Sequence, residues 1–495
     1  VNQTDRRVIV VGSGPPGAAA ALFLARAGVD VLVLDAGVEQ AALGLTLRVR
    51  GYTFVRQHRP LSLRQDFSPG EGDAVLYEDL APGGLTNHWS CAVPRYAPDD
   101  FADARRGGEA FTWPIEYEDI EPWYARVEPL LRIAGSMTGR PQLPAGVVLH
   151  KRELRSDWNG ITVRAARLGR CVAPMPYAYG AETTLTPSGT AFNSFVRLLR
   201  PEIRAGRIAM RFGARVVRLE RTRREAKVDA VVFKDAATGI EERLACAAVV
   251  LAAGAVGTTE VLFASADDEY PQGLGNTHGV LGRYLHDHPL AKLVVDLDGK
   301  LSVLPPSYWT RPTLDQTTPL YAAACMQWSG TSLLLRSLLR GTPRQLPWIG
   351  FSVFGTIEPS RDNWVAPDPT ATPRNGRTPV RMNYVATPQA MKALESARQD
   401  VESVLADGGL SPRVRDWVIE KPGNSNHYGG TCRMHASPEY GMLDAWSRMH
   451  AVPNVAVVDS SAFTTGPEKN PVLTAMALAA RAGDRLGKDL RASNV

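Results

Sequence analysis

Close cysteine pairs are missing from this chain. The five cysteines, Cys91, Cys171, Cys246, Cys325 and Cys432, are odd in number and widely spaced, and no C-x-x-C occurs in 495 residues. That excludes a disulfide framework and a dithiol redox motif, and reads as free thiols in a reducing compartment. Long apolar runs are missing too: none approaches the ~20 residues of a membrane span. The most membrane-like piece is Leu333–Arg340, LLLRSLLR. It is expected to be a surface helix or mobile lid, with an interface to a partner or lipid as the alternative. No signal peptide is visible, since polar Val1–Arg7 runs directly into a strand. A cytoplasmic location is therefore expected, although a processed chain would show no signal either. Charge of one sign is also scarce. Fifty-six Lys+Arg face 51 Asp+Glu, a net charge of +5. With no basic block and no basic helix interleaved with aromatics, nucleic-acid binding is excluded. There is no internal repeat, no low-complexity segment and no G-x-S-x-G nucleophile elbow. His286-Asp287-His288 has no third ligand spaced to complete a metal site, so no metal is expected.

What is present is an ordinary globular balance, with 44% hydrophobic and 22% charged residues. The length suits two or three domains and a large core without disulfides or a structural metal. The opening alternates in the α/β manner. Val8–Val11 is a continuous apolar strand, residues 16–27 form an Ala-rich helix stopped by Gly28, and Val31–Leu34 is a second apolar strand. Such strands imply a parallel sheet covered on both faces. Ala248–Leu251 and Val455–Val458 have the same character, so the sheet is expected to be assembled from distant segments. Thr387-Pro388 should start a helix running to about Ala406, with Gly408-Gly409 ending it.

Gly12-Ser13-Gly14-Pro15-Pro16-Gly17 sits between the first strand and helix. Gly12 permits the tight turn, Gly14 lets backbone approach a pyrophosphate, and Gly17 allows close helix–strand packing. Pro15 and Pro16 have no N–H, so donation to phosphate is expected from Ser13, Gly14, Gly17 and Ala18. Asp35 ends the second strand, where an acid accepts from a ribose 2′-OH and repels a 2′-phosphate. The fingerprint implies a dinucleotide without separating FAD from NAD.

Further motifs separate them. Gly83-Gly84-Leu85-Thr86-Asn87-His88-Trp89, followed by Val93-Pro94-Arg95, resembles the flavin-approach loop of the glucose-methanol-choline (GMC) oxidoreductase family. Its His-Trp form is similar to that of pyranose oxidases and bacterial glycoside oxidases. Trp113-Pro114-Ile115 with Tyr117, Asp119 and Tyr124, Ala252–Gly257, Gly282-Arg283 with Asp287-His288-Pro289, His427–Met434, Val452–Asn454, Asp459 and Asn470–Thr474 also resemble family segments, in family order. The resemblance implies FAD as a lasting cofactor. It implies a Rossmann-like FAD-binding domain built from 1–110, 205–290 and 425–495. An α+β substrate-binding domain on an antiparallel sheet, from 111–204 and 291–424, completes the expected α/β fold.

The resemblance also supplies site residues. His427 falls where the family keeps its active-site histidine, and Asn470 where members carry a second His or an Asn. A histidine titrates near neutrality and suits proton removal from an alcohol. Asn470 can hydrogen-bond the substrate oxygen but cannot titrate. Cofactor contacts are expected from Gly12, Ser13, Gly14, Gly17, Asp35, Gly83, Gly84, Thr86, Asn87, His88, Val216, Ala253, Gly254, Asp459 and Val472. His88 stands where pyranose oxidases carry a covalent flavin link; here it either carries that link or packs against the flavin edge. The expected substrate is an alcohol, foremost a sugar or glycoside hydroxyl, with oxygen or another acceptor as oxidant. Trp309, Trp328, Trp348, Tyr308 and Tyr384 are available as aromatic faces for a sugar. Two alternatives stay open. One is an aminoglycoside or other secondary-metabolite hydroxyl, which would need acids such as Asp362 or Glu358 in the pocket. The other is a hydroxynitrile-type lyase with a redox-silent flavin. Oligomeric state is not legible.

Overall fold

Val8–Val11 and Val31–Leu34 are buried at every position, which a strand sustains only with both faces covered. They belong to a five-stranded sheet in the order 209–211, 31–34, 8–11, 248–251, 455–457, with every pairing parallel. The computed structural model describes residues 7–492 apart from 40–43, 50–51, 58–60, 65–66, 71–72, 103–107, 181–183, 187, 223–225, 315–321, 329–344, 372–376 and 378. The Leu333–Arg340 segment lies outside the described residues. All five cysteines are free. Among the described residues, no helix is long and apolar enough to cross a membrane.

The first helix, Pro15–Arg26, begins with two prolines because first-turn N–H groups have no intrahelical partner. Its alanines, Ala18–Ala21, are fully buried. Their small side chains let the last helix, Val472–Ala492, come close: a Cβ on Gly483 would lie 2.8 Å from the Ala20 carbonyl oxygen.

A six-stranded antiparallel sheet runs in the order 172–174, 307–309, 323–328, 345–355, 290–302, 413–419. Side chains alternate between its faces. Ala291, Leu293, Val295, Phe351 and Val353 pack against Leu394, Ala397 and Val401 of the helix Pro388–Asp407. Thr387 caps that helix by accepting from the Ala390 N–H at 3.2 Å. The opposite face carries Leu290, Lys292, Met326, Ser352 and Phe354, which line a cavity beside the parallel sheet.

The strands of the two sheets fall on opposite sides of the domain division proposed above, with Leu290 on its boundary. One helix does not follow that division. Tyr117–Leu131, placed by it with the substrate unit, buries Tyr117, Ile120, Tyr124 and Val127 in the core of the parallel sheet. Its amphipathic stripe faces the last helix, with the Tyr124 hydroxyl 2.7 Å from Thr474 Oγ1.

Four buried charges tie distant segments together next to the cavity. The Arg311 guanidinium donates to Asp100 at 3.1 Å and lies 3.4 Å from Glu468. The Lys469 ammonium donates to Asp100 at 2.7 Å and to Glu468 at 3.1 Å. All four are at most 2% exposed. The cations hold the Asp100 carboxyl below its ordinary range against the opposing pull of burial. Removing one member leaves an uncompensated buried charge, which costs about 3–5 kcal/mol. Arg311→Met should therefore lower the denaturation midpoint clearly, and an unchanged midpoint would show that the cluster does not hold these segments.

Candidate active site

The glycine-rich turn is shaped by backbone crowding. Gly12 has φ +100°, and a Cβ there would sit 2.5 Å from the Ala252 carbonyl oxygen. A Cβ on Gly17 would sit 2.1 Å from the Gly12 oxygen. First strand, first helix and the turn after Leu251 thus meet where no side chain fits. Gly14 differs: a Cβ there meets nothing within 4 Å, because it faces the cavity.

The expected set of phosphate donors shrinks. The Ser13 N–H donates to Asp35 Oδ2 at 2.9 Å, and the Ala18 N–H closes the first helical bond on the Gly14 oxygen at 2.9 Å. Neither is available, because a buried carboxylate and a helix start have already claimed them. Asp35 also accepts from the Gly37 N–H at 2.8 Å, and burial pushes its pKa up. Ser13 Oγ accepts from the Gly83 N–H at 2.8 Å, which joins the two glycine loops.

Of the Gly83–Trp89 loop, Gly84, Leu85, Thr86, His88 and Trp89 line the cavity, whereas Gly83 and Asn87 do not. Asn87 braces the loop from behind: its amide donates to the Gly84 oxygen at 3.0 Å, and its oxygen accepts from Asn193 at 2.9 Å. Thr86 Oγ1 donates to the Gly83 oxygen at 2.5 Å. His88 Nε2 lies 2.9 Å from Asp79 Oδ2, with both side chains almost fully buried. Trp89 is oriented by its Nε1–H donating to the Phe192 oxygen at 2.8 Å.

Val216 lines the cavity from the strand Ala214–Arg221, where the pairing register slips between Val216 and Arg218. Ala253 and Gly254 lie on the same wall, and a Cβ on Gly254 would also meet nothing within 4 Å. Asp459 accepts from the Gly254 N–H at 3.0 Å, from Thr258 Oγ1 at 2.6 Å and from the Ser461 N–H at 3.0 Å. It therefore both caps the turn Ser460–Ala462 and pins the start of the helix Ala255–Ala264.

At the other end of the cavity His427 and Asn470, 43 residues apart, meet with Asn470 Nδ2 3.3 Å from His427 Nε2. Val472, the first residue of the last helix, lies on the same wall. The His427 ring packs edge-on to His288 at 4.9 Å between centroids and against Phe354 at 5.6 Å. The His427 backbone N–H donates to Asp287 Oδ1 at 2.7 Å. Burial, reinforced by His288, holds the His427 pKa well below the ordinary histidine range. His427 Nδ1 is buried without a hydrogen-bond partner among the described residues. With the Asn470 amide donating, Nε2 carries the lone pair and Nδ1 the proton.

The HDH stretch serves this arrangement. Asp287 also accepts from the Ser425 N–H at 3.2 Å, and His288 Nδ1 meets the Gly355 oxygen at 3.0 Å. His286 Nδ1 lies 3.2 Å from the Tyr284 oxygen. All three side chains are thus bound to protein groups. From sequence, Asp287 and His288 read only as part of a family loop near the flavin, and Phe354, Lys292 and Ser352 carry no role at this site. A lysine within the otherwise apolar stretch Leu290–Val295 is the one available signal.

Among the described residues, none of the aromatic faces expected for a sugar lines the cavity. Trp309 is fully buried on the helix-facing side of the sheet, Tyr384 lies in a separate core donating to the Asp287 oxygen, and Trp348 stacks with Arg415. Tyr308 is buried off the cavity, and the Trp328 side chain lies outside the described residues. Tyr77, Trp89, Phe354 and Tyr428 are the described aromatic residues that line the cavity, and Phe354 packs on the His427 ring. Asp362 and Glu358 do not line the cavity either.

The cavity measures about 1170 Å³ and runs from Asp35 and Val216 past Gly14 and Gly254 to His427 and Asn470. That exceeds the space a small substrate needs. The open cradles at Gly14 and Gly254, the ribose-side acid and the orphaned imidazole at the far end fit a dinucleotide flavin.

The glycine pair after His427 sets the ring's position. Gly430 has φ +87°, and a Cβ there would sit 2.1 Å from the Tyr284 oxygen. Gly430→Ala should lower stability by several kcal/mol, beyond the usual ~1 of a point change, and should reduce flavin content. Wild-type melting with full flavin occupancy would refute that constraint.

Residues 356–479 match the family described as GMC oxidoreductase, and residues 5–51 match an FAD binding domain. The chain is 27% identical to 2-methyl-1,2-propanediol dehydrogenase of Mycolicibacterium austroafricanum, covering 98% of this chain and 96% of that one. It is 26% identical to 6′′′-hydroxyparomomycin C oxidase of Streptomyces lividus, covering 98% and 92%. The fold is shared with an FAD-dependent oxidoreductase from Chaetomium thermophilum, with TM-score 0.68, 14% identity and coverage of 98% and 99%. Matched along both its nucleotide-binding opening and its C-terminal block, the chain carries an FAD-binding domain and a GMC oxidoreductase C-terminal domain, and is an FAD-dependent oxidoreductase similar to enzymes of alcohol oxidation.

Proposed function

We propose that the chain oxidises a ring or side-chain hydroxyl of a sugar or glycoside, with His427 as the base. The observation that carries this reading is the meeting of His427 and Asn470 at 3.3 Å on the cavity wall, with the imidazole buried and held neutral. His427 Nε2 takes the hydroxyl proton, and the Asn470 amide holds the substrate oxygen in line with it. Bound FAD would supply the acceptor for the hydride of the carbinol carbon. Gly12, Ser13, Gly14 and Gly17 shape its pyrophosphate site, with Asp35 toward the ribose and Val216 toward the adenine. Gly83, Gly84, Thr86, Asn87 and His88 form the loop over it. Ala253, Gly254 and Asp459 line the ribityl-phosphate side. Val472 presents the positive end of the last helix to the same wall.

The sugar reading rests on the likeness of the His-Trp loop to sugar-oxidising members. It is also supported by the polar groups of Asn424, Asn426 and Ser352 on the cavity wall. A cationic amino sugar is disfavoured, because Asp362 and Glu358 are not on that wall and the acids that are, such as Glu78, Asp79 and Glu260, are already paired with Arg377, His88 and Arg64.

His427→Ala should slow anaerobic flavin reduction by roughly 10²–10⁴ with FAD still bound. Because burial beside His288 holds the imidazole pKa below the ordinary histidine range, kred/Kd should stay level as pH falls through about 6.5. An undiminished rate in the variant, or a wild-type decline with an apparent pKa near 6.5, would remove His427 from the role.

We read the flavin as held without a covalent bond, since Asp79 already occupies His88 Nε2. Acid precipitation should release the yellow colour to the supernatant; colour retained in the pellet would establish a bond.

A further inference from the structure

We propose that Lys292 is the anion-binding end of the substrate pocket, so that the preferred alcohol carries a carboxylate. This rests on the reading above that the His427 wall receives the substrate.

Lys292 lies on the strand Leu290–Ser302, where alternation puts Leu290 and Lys292 on the cavity face. Its cross-strand neighbour is Ser352, and that of Leu290 is Phe354. Phe354 packs on the His427 ring. Lys292 is thus two residues, about 7 Å of strand, from the level of the base, a span comparable to one pyranose ring. The Lys292 ammonium donates to Ser352 Oγ at 2.7 Å. Among the described residues no carboxylate lies within ion-pair distance of it. Glu420 reaches it only through its field, accepts instead from Asn424 at 2.8 Å, and does not line the cavity.

The acids on the cavity wall are already committed, as Glu78 is to Arg377 and Asp79 to His88. One end of the pocket therefore carries a positive charge that only a hydroxyl answers. Burial lowers the Lys292 pKa, the cost of holding an ammonium there without a counter-ion. A substrate carboxylate would supply that counter-ion and accept from both Lys292 and Ser352. A single ammonium matches a monoanion, whereas a phosphate dianion would call for a second cation or a forked guanidinium.

The test uses the FAD-loaded full chain under anaerobic conditions, titrated with glucuronate, glucose and glucosamine. Perturbation of the flavin spectrum reports binding, and bleaching reports turnover. Glucuronate should bind about tenfold or more tighter than glucose, and glucosamine most weakly. Lys292→Met should erase the preference for glucuronate over glucose with flavin content retained, and Lys292→Arg should restore part of that preference. Equal binding of glucuronate and glucose, or a preference that survives in Lys292→Met, would overturn the role of Lys292. If the binding preference holds but no sugar bleaches the flavin while simple alcohols do, the sugar reading fails and the anion site stands.

Discussion

His427 is held where two remote segments cross at backbone distance. The His286 N–H donates to the Gly429 oxygen at 3.0 Å, and the Gly429 N–H returns the bond to the His286 oxygen at 2.9 Å. A Cβ on Gly429 would lie 2.5 Å from His286 Nε2 and 2.7 Å from the Ser460 oxygen. The crossing therefore needs glycine. It fixes the main chain two residues beyond His427, while Asp287 fixes the His427 N–H itself. The ring then has one place to go, between the C-terminal loop and the cavity face of the antiparallel sheet.

That position determines the chemistry. Removed from water and placed beside His288, the imidazole cannot readily be charged in the resting protein. Its Nδ1 has no partner among the described residues, a state that costs about 1–3 kcal/mol for a buried polar atom. Functional sites carry such costs when the surrounding fold enforces them. Here the enforcement comes from the buried charges immediately before Asn470. Lys469 and Glu468 are clamped to Asp100 and Arg311, so the residue after them has little freedom. Asn470 contributes a dipole that does not change with pH, and the last helix begins two residues later.

The nucleotide half was largely legible because its determinants are local. Gly12, Gly14, Gly17 and Asp35 lie within one strand–helix–strand unit, and each has a backbone reason that spacing alone suggests. The meeting of His427 with Asn470 was legible only through resemblance, since nothing local joins them. The substrate face was not legible. Whether Lys292, Ser352 and Phe354 share a wall depends on the register of 290–302 against 345–355, set by pairing between distant strands. The aromatic residues misled for the same reason: Trp309 and Tyr384 look suited to a sugar in sequence, yet alternation and core packing turn them away. The helix Tyr117–Leu131 likewise gave its stripe to the nucleotide core because the last helix offered it a complementary face.

The central claim is that His427 is a neutral base with its lone pair on Nε2. Nitrogen-15 NMR of histidine-labelled holoenzyme reads this directly, with the His427 signals assigned by their loss in His427→Gln. The account predicts a protonated Nδ1 and an unprotonated Nε2 that persist as pH falls through about 6.5. A midpoint near 6.5, or a resting proton on Nε2, would contradict it.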